Sequence, residues 1–207
     1  MSTTLVPTIQ APAAERAPRR GPAALFELMR EQHGVASRPQ ARAVGVSRAV
    51  ERRLVAEGAL VRPVGEVLAV GGVWPSFASR CMATSLLAGV QAISHGAAAR
   101  LHRLSGFEHH ESLDALGRRG ARLHHPPPVV THRSRRDLDG HIVRVAHIPV
   151  TSIPLTLVLL AGTVDDRVLA RALDDAIRRG IPPAPIEELA RRWRVSGRLH
   201  AVRSVCP

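Results

Sequence analysis

From Pro22 onward, apolar residues begin to recur at helical spacing. Leu25, Leu28, Met29 and Gln32 share a face, Pro22 suits a first helical turn, and Gly34 is a stop. Ser37-Arg38-Pro39-Gln40 then has the form of a capping box: a hydroxyl to accept an amide, and a Gln three residues on to reach back. A short helix follows and ends at Gly45. Ser47 is a second N-cap, opening a helix from Arg48 to Glu57 that Gly58 closes. Ala59 to Val64 and Glu66 to Val70 read as strands turning at Gly65, and Gly71-Gly72 ends the unit. Residues 1–21 lack a periodic apolar face and are expected to be a disordered tail.

Beyond residue 72 the pattern is mixed. Ala78 to Val90 and His95 to Leu104 read as helices, the second capped by Ser94. Val129 to His132 and Ile142 to Val145 are short strands on either side of a charged segment, whereas Glu108 to Pro128 offers no clear strand. Thr151-Ser152 caps a helix from Pro154 to Leu160. A longer one from Val164 carries Leu169, Leu173 and Ile177 on one face, and Glu187 to Arg194 is a last short helix. Arg178 and Arg179 suit the negative end of that longer helix without any ligand. The expected fold class is α+β, with a unit over 22–72, a helix-rich domain with a few short strands over 73–195, and an irregular tail over 196–207.

Three helices joined by Gly turns and followed by a small hairpin have the layout of a winged helix-turn-helix. Val46, Val50 and Leu54, four apart, would face the core, and Arg48 and Arg52 would then point outward with Arg53 on their flank. A helix entering the major groove needs that division, because forked guanidinium donors pair bidentately with guanine. Arg62 stands where a wing would meet phosphates. The candidate DNA-binding set is therefore Arg38, Ser47, Arg48, Arg52, Arg53 and Arg62.

Charge supports this only in part. The 207 residues carry 29 Lys+Arg against 17 Asp+Glu, a formal net charge of +12 that favours phosphate-bearing partners. Every basic residue is Arg, and Lys, Asn and Tyr are absent, a bias that looks compositional rather than functional. Two cysteines, Cys81 and Cys206, are too few for a disulfide framework and suit a reducing cytoplasm. No secretory signal is visible, and the longest apolar run, Ile153 to Ala161, is about half what a bilayer requires.

Among the histidines, His109, His110, His124, His125, His132 and His141 invite a metal reading. Neighbouring pairs diverge on a helix or a strand, however, and neither Cys lies near them in sequence, so no metal or other cofactor is expected. His95 and His102, seven apart on one helix, are expected to serve packing or capping. Ser94-His95 and Ser105 supply nucleophile and base types without a Gly-x-Ser-x-Gly turn, and adjacent residues on a helix cannot present hydroxyl and imidazole to each other. An enzyme is not expected.

The chain resembles the actinobacterial AbiEi-type proteins, transcriptional regulators and antitoxins of a type IV toxin–antitoxin system. The resemblance runs in order over roughly residues 22–181. It takes in Ser37-Arg38-Pro39-Gln40-Ala41, Val46-Ser47-Arg48-Ala49-Val50 and Leu68-Ala69-Val70-Gly71-Gly72. It continues through Ile93 to His102, His132 to Arg135, Ile148 to Ser152 and Leu173 to Gly180. Two departures stand out: Gly65-Glu66-Val67-Leu68 lacks the family's Tyr, and Leu155-Thr156 and Leu159 replace polar residues. The resemblance implies an autorepressor that binds its own double-stranded operator DNA. It also implies a cognate toxin neutralised without a stable complex, and no membrane partner. Relatives fused to a Vsr-like endonuclease domain continue where this chain stops, and nothing here resembles that acidic, Lys-containing core. The alternative is a winged-helix protein-interaction module or a truncated remnant of such a fusion.

Overall fold

Helix α1 (Pro22–Glu31) starts at a proline already set to helical φ and stops before His33 and Gly34, both at positive φ. The computed structural model describes residues 20–72, 75–118, 120, 128–194, 197 and 199. The expected tail over 1–21 lies outside these except for Arg20 and Gly21, and Gly21 N–H donates to the Val44 carbonyl at 2.7 Å. The capping box closes as expected. Ser37 accepts from the Gln40 amide at 3.3 Å while the Gln40 side chain accepts from the Ser37 amide at 2.8 Å, opening α2 (Arg38–Ala43). Ser47 caps α3 (Arg48–Ala56) by accepting from the Val50 amide.

Three short strands complete this unit. They are β1 (Val35–Ser37), β2 (Leu60–Val61) and β3 (Val67–Val70), in the order β1-β3-β2, with both pairings antiparallel. The sequence showed β2 and β3. It hid β1, whose three residues are all buried and so show no alternation. Leu25, Met29, Ala36, Val46, Leu54, Leu60 and Leu68 form the core beneath the helices. Each fully buried large side chain there contributes about 1.5–3 kcal/mol.

The remainder is a mixed five-stranded sheet with helices packed on it. Its strands are β4 (Val90–Ile93), β5 (Leu113–Arg118), β6 (Val129–Ser134), β7 (Ile142–Val145) and β8 (Ile148–Thr151), in the order β6-β5-β4-β8-β7. The helices are α4 (Phe77–Ser85), α5 (His95–Leu101), α6 (Ile153–Leu160), α7 (Asp166–Arg178) and α8 (Pro183–Trp193). Among the described residues this makes eight helices and two sheets, a mixed α/β chain consistent with the α+β expectation.

Several expectations need correction. The expected helix to Val90 stops at Ser85, and Gly89 at positive φ turns the chain into β4. A strand, β5, occupies the region that offered no clear one, because five of its six residues are buried and again leave no alternation. β8 sat unrecognised within the Ile148 to Ser152 stretch. Helix α7 begins at Asp166 rather than Val164, since Asp165 accepts from the Val168 amide as N-cap. Helix α8 starts four residues early, on the Pro183 turn. Within the expected irregular tail over 196–207, Leu199 is helical and buried in the main core, and the other residues except Gly197 lie outside the described set.

The two halves share a core. Val35 and Val67 pack with Cys81, Met82 and Ala83 of α4 and with Ile93, Ile148 and Val150 of the large sheet. Leu155, Leu157, Leu160, Leu169, Leu173 and Leu189 form a second core among α6, α7 and α8. No helix among the described residues is long and apolar enough to cross a membrane.

Candidate functional site

Helix α3 divides as its spacing predicts. Leu54 is buried and Val50 packs against the core, while Arg48, Arg52 and Arg53 are exposed, as is Ser47 at the cap. Arg48 and Arg52 have no ion pair among the described residues; Arg53 lies 3.7 Å from Glu57, its neighbour one turn on. Glu51 was not anticipated. It lies on the inward side of α3, only 4% exposed, and its two oxygens are taken separately. Arg38 Nε donates to one at 3.1 Å and Arg62 Nη2 to the other at 2.8 Å. Burial alone would raise the Glu51 pKa, but the two guanidinium hydrogen bonds outweigh it and hold the carboxyl below its ordinary value.

The six sequence-selected residues thus separate into two groups. Ser47, Arg48, Arg52 and Arg53 share one exposed helix face. Arg38, at the start of α2, and Arg62, just after β2, converge instead on Glu51 and tie three elements together. Nothing in the four-residue spacing of α3 pointed to this, because a single Glu at the helix start reads equally well as a solvated charge.

A second cluster surrounds Asp114 of β5. This carboxylate is 6% exposed and accepts from the Ala97 amide at 3.0 Å and from His110 Nε2 at 2.9 Å on one oxygen. His132 Nε2 on neighbouring β6 lies 2.9 Å from the other oxygen. Burial would raise the Asp114 pKa; the histidine and amide hydrogen bonds overcome this and hold it well below the usual carboxylate range. The His132 ring stacks on His95, with centroids 3.7 Å apart. His95 is buried at φ 46°, in the left-handed region that a non-glycine residue enters only at a cost of about 1–3 kcal/mol. Burial, reinforced by the His132 charge, lowers the His95 pKa to about 4. Gly96 is required by this packing, since a Cβ there would lie 2.2 Å from the His110 ring.

Ser94 Oγ and His95 Nδ1 stand 2.9 Å apart, so adjacent residues do meet here. The two side chains are not held apart by helical geometry, because Ser94 is the extended N-cap residue and His95 has left-handed backbone. A relay still does not form: Asp114 holds His110 and His132 rather than His95, and Ser94 is 0% exposed. Among the described residues, no group of three or more His, Cys, Asp or Glu is arranged to hold a metal. His109 and His141 stand apart from the cluster, and His124 and His125 lie outside the described residues. His102 Nε2 donates to the Thr151 carbonyl at 2.7 Å, the packing role its position suggested. Cys81 is buried, which pushes its thiol up to about 12 and leaves it unreactive. Cys206 lies outside the described residues.

Beside this cluster, Arg80 and Arg100 both reach the exposed Glu111 carboxylate, and Arg100 stacks over Phe77 at 4.0 Å. Their hydrogen bonds hold the Glu111 carboxyl down to about 2.

No protein-family model and no curated protein matches the chain. Among solved structures, it is similar to the RV2827C protein from Mycobacterium tuberculosis, at 16% identity and a TM-score of 0.39 over 90% of this chain and 82% of that one. A likeness of that size carries no argument about fold or role.

Proposed function

We propose that this chain is a DNA-binding regulatory protein, with residues 22–72 acting as a winged helix-turn-helix and α3 as the helix that enters the major groove. The observation that carries this is the division of α3. Arg48 and Arg52 are exposed and unpaired among the described residues, on a helix anchored from behind by Val50 and Leu54. Unpaired arginines on a rigid helix are free to fork onto base edges, whereas arginines already bound to carboxylates must first give them up. Arg53 and Ser47 would flank the contact, with Ser47 also holding the helix start. Arg38 and Arg62 would brace the helix through Glu51, and their outer donors would meet the backbone. The antitoxin assignment, with a cytoplasmic location, the chain's own operator as DNA partner and a toxin neutralised without a stable complex, rests on the ordered AbiEi-like motifs alone.

The test is a fluorescence-anisotropy titration against the DNA upstream of the chain's own gene and against a scrambled duplex, over a range of salt. Arg48→Ala and Arg52→Ala should each cost about 1–3 kcal/mol of specific binding and relax base preference. Their stability should stay within about 0.5 kcal/mol of the parent. Unchanged binding of both duplexes by these variants would overturn the recognition-helix assignment and put a protein-binding role in its place.

A further inference from the structure

The backbone just before α1 is held against the turn that leads into α3. Gly21 N–H donates to the Val44 carbonyl at 2.7 Å, and Gly21 itself has φ 81° and ψ −156°, a conformation essentially reserved for glycine. This kink seats Arg20 beside Gly45: a Cβ on Gly45 would stand 3.7 Å from the Arg20 Cβ. Gly45 closely precedes Arg48, the first residue of α3. In a helix-turn-helix the start of the recognition helix is the part that meets base edges, so Arg20 stands next to that end.

The charge at this point has no local account. Arg20 is exposed and has no ion pair among the described residues. It precedes the positive end of α1, whose first turn contains no acidic residue, so the helix dipole disfavours a cation here. Arg42, exposed at the end of α2, is by contrast explained by the negative end of its own helix. Reading back from Arg20, the sequence runs Arg19, Pro18, Ala17 and Arg16, and the only acidic residue before these is Glu15. Cations gathered where the fold itself gains nothing from them point to an anionic partner.

We propose that Arg16, Arg19 and Arg20 form an arm that enters the minor groove of the same duplex, next to the major-groove site of α3. The proposal rests on the reading of α3 as the recognition helix. Five residues span at most about 18 Å, and half a turn of B-DNA is about 17 Å, so the arm reaches the neighbouring minor groove and little further. That groove is about 6 Å wide, and between the arginines Ala17 and Pro18 add little bulk. Guanidinium groups are drawn to its negative potential, which deepens where the groove narrows.

The experiment compares the full chain with a variant carrying Arg16→Gln, Arg19→Gln and Arg20→Gln, and with Arg48→Ala as reference. Each is titrated by anisotropy against the upstream and the scrambled duplex over a range of salt. The arm variant should bind both duplexes about ten- to a hundredfold more weakly at about 0.15 M salt, with a salt slope smaller by about 2–3, roughly one per lost contact. Arg48→Ala should instead lose the preference for the upstream duplex. Hydroxyl-radical cleavage, which reads the minor groove, should show a protected stretch beside the α3 site with the full chain and none with the arm variant. Should that variant melt below the parent, removal of residues 1–19, which leaves Gly21 and its bond to Val44, takes its place. Parent-like affinity and slope in the folded variant, or a loss with minor-groove protection unchanged, would overturn the arm while leaving α3 in place. A full chain that binds neither duplex would overturn both readings.

Discussion

Asp114→Ala is the substitution that most directly tests how the large sheet holds α5. The native carboxylate accepts three hydrogen bonds, from the Ala97 amide at 3.0 Å and from His110 and His132 at 2.9 Å each. The two imidazoles are about a quarter exposed, with side-chain exposures of 28% and 24%, so they regain part of their hydration when the carboxylate is removed. The Ala97 amide is buried and cannot, and an orphaned buried donor costs about 1–3 kcal/mol. Together with the lost charge-assisted bonds, the expected destabilisation is about 3–5 kcal/mol, the usual result of removing one partner from a buried ionic network. For a chain of this length that is a fall in Tm on the order of 10 °C. Denaturant melts of the parent, Asp114→Ala, His132→Ala and the double variant would measure it, and the cycle should return a coupling of about 0.5–3 kcal/mol. The depressed Asp114 pKa adds a pH signature. The stabilisation is fully present above the unfolded carboxylate pKa and disappears as pH falls through the lower folded value, so the parent and variant should converge in strong acid. A loss below about 0.5 kcal/mol at neutral pH, or no coupling to His132, would refute the reasoning.

His95 should make stability fall between pH 6.5 and about 4, because the unfolded chain takes the proton first while the buried ring, lowered to about 4, stays neutral. The full loss amounts to about 3 kcal/mol; His95→Asn, which tolerates the positive φ, should flatten the slope in melts at pH 7.5 and pH 5. Glu51→Gln should cost about 1–3 kcal/mol, since it removes a buried partner of two arginines that are themselves partly solvated. Arg62→Ala should cost part of the same amount and be strongly non-additive with it in urea titrations; a purely additive pair would contradict the bridge. Gly96→Ala should destabilise by about 1–3 kcal/mol by displacing the His110 ring, yet be neutral or stabilising in a His110→Ala background, where Ala is the better helix former. An equal loss in both backgrounds, by thermal melt, would exclude the clash as the cause.

Local chemistry was legible in the sequence. The Ser37–Gln40 box, the Ser47 cap, the Gly45 and Gly58 stops and the outward arginines of α3 are all set by interactions within a few residues. The period of α7, with Leu169 and Leu173 inward, was readable for the same reason. What failed to show was whatever depends on partners far along the chain. Strands β1 and β5 are buried on both faces, so nothing alternates, and only pairing with β3, and with β4 and β6, makes them strands. Glu51 looked like an ordinary helix charge until α2 and the segment after β2 brought Arg38 and Arg62 to it from 13 and 11 residues away. Asp114 drew no attention, and His95, His110 and His132 seemed scattered. The register of β5 against β6 puts Leu116 opposite His132 and carries that ring to the carboxylate, while Gly96 clears the space for His110. Sequence determines what each segment can become by itself. Which charges end up buried, and with whom, is decided by the packing that removes them from water.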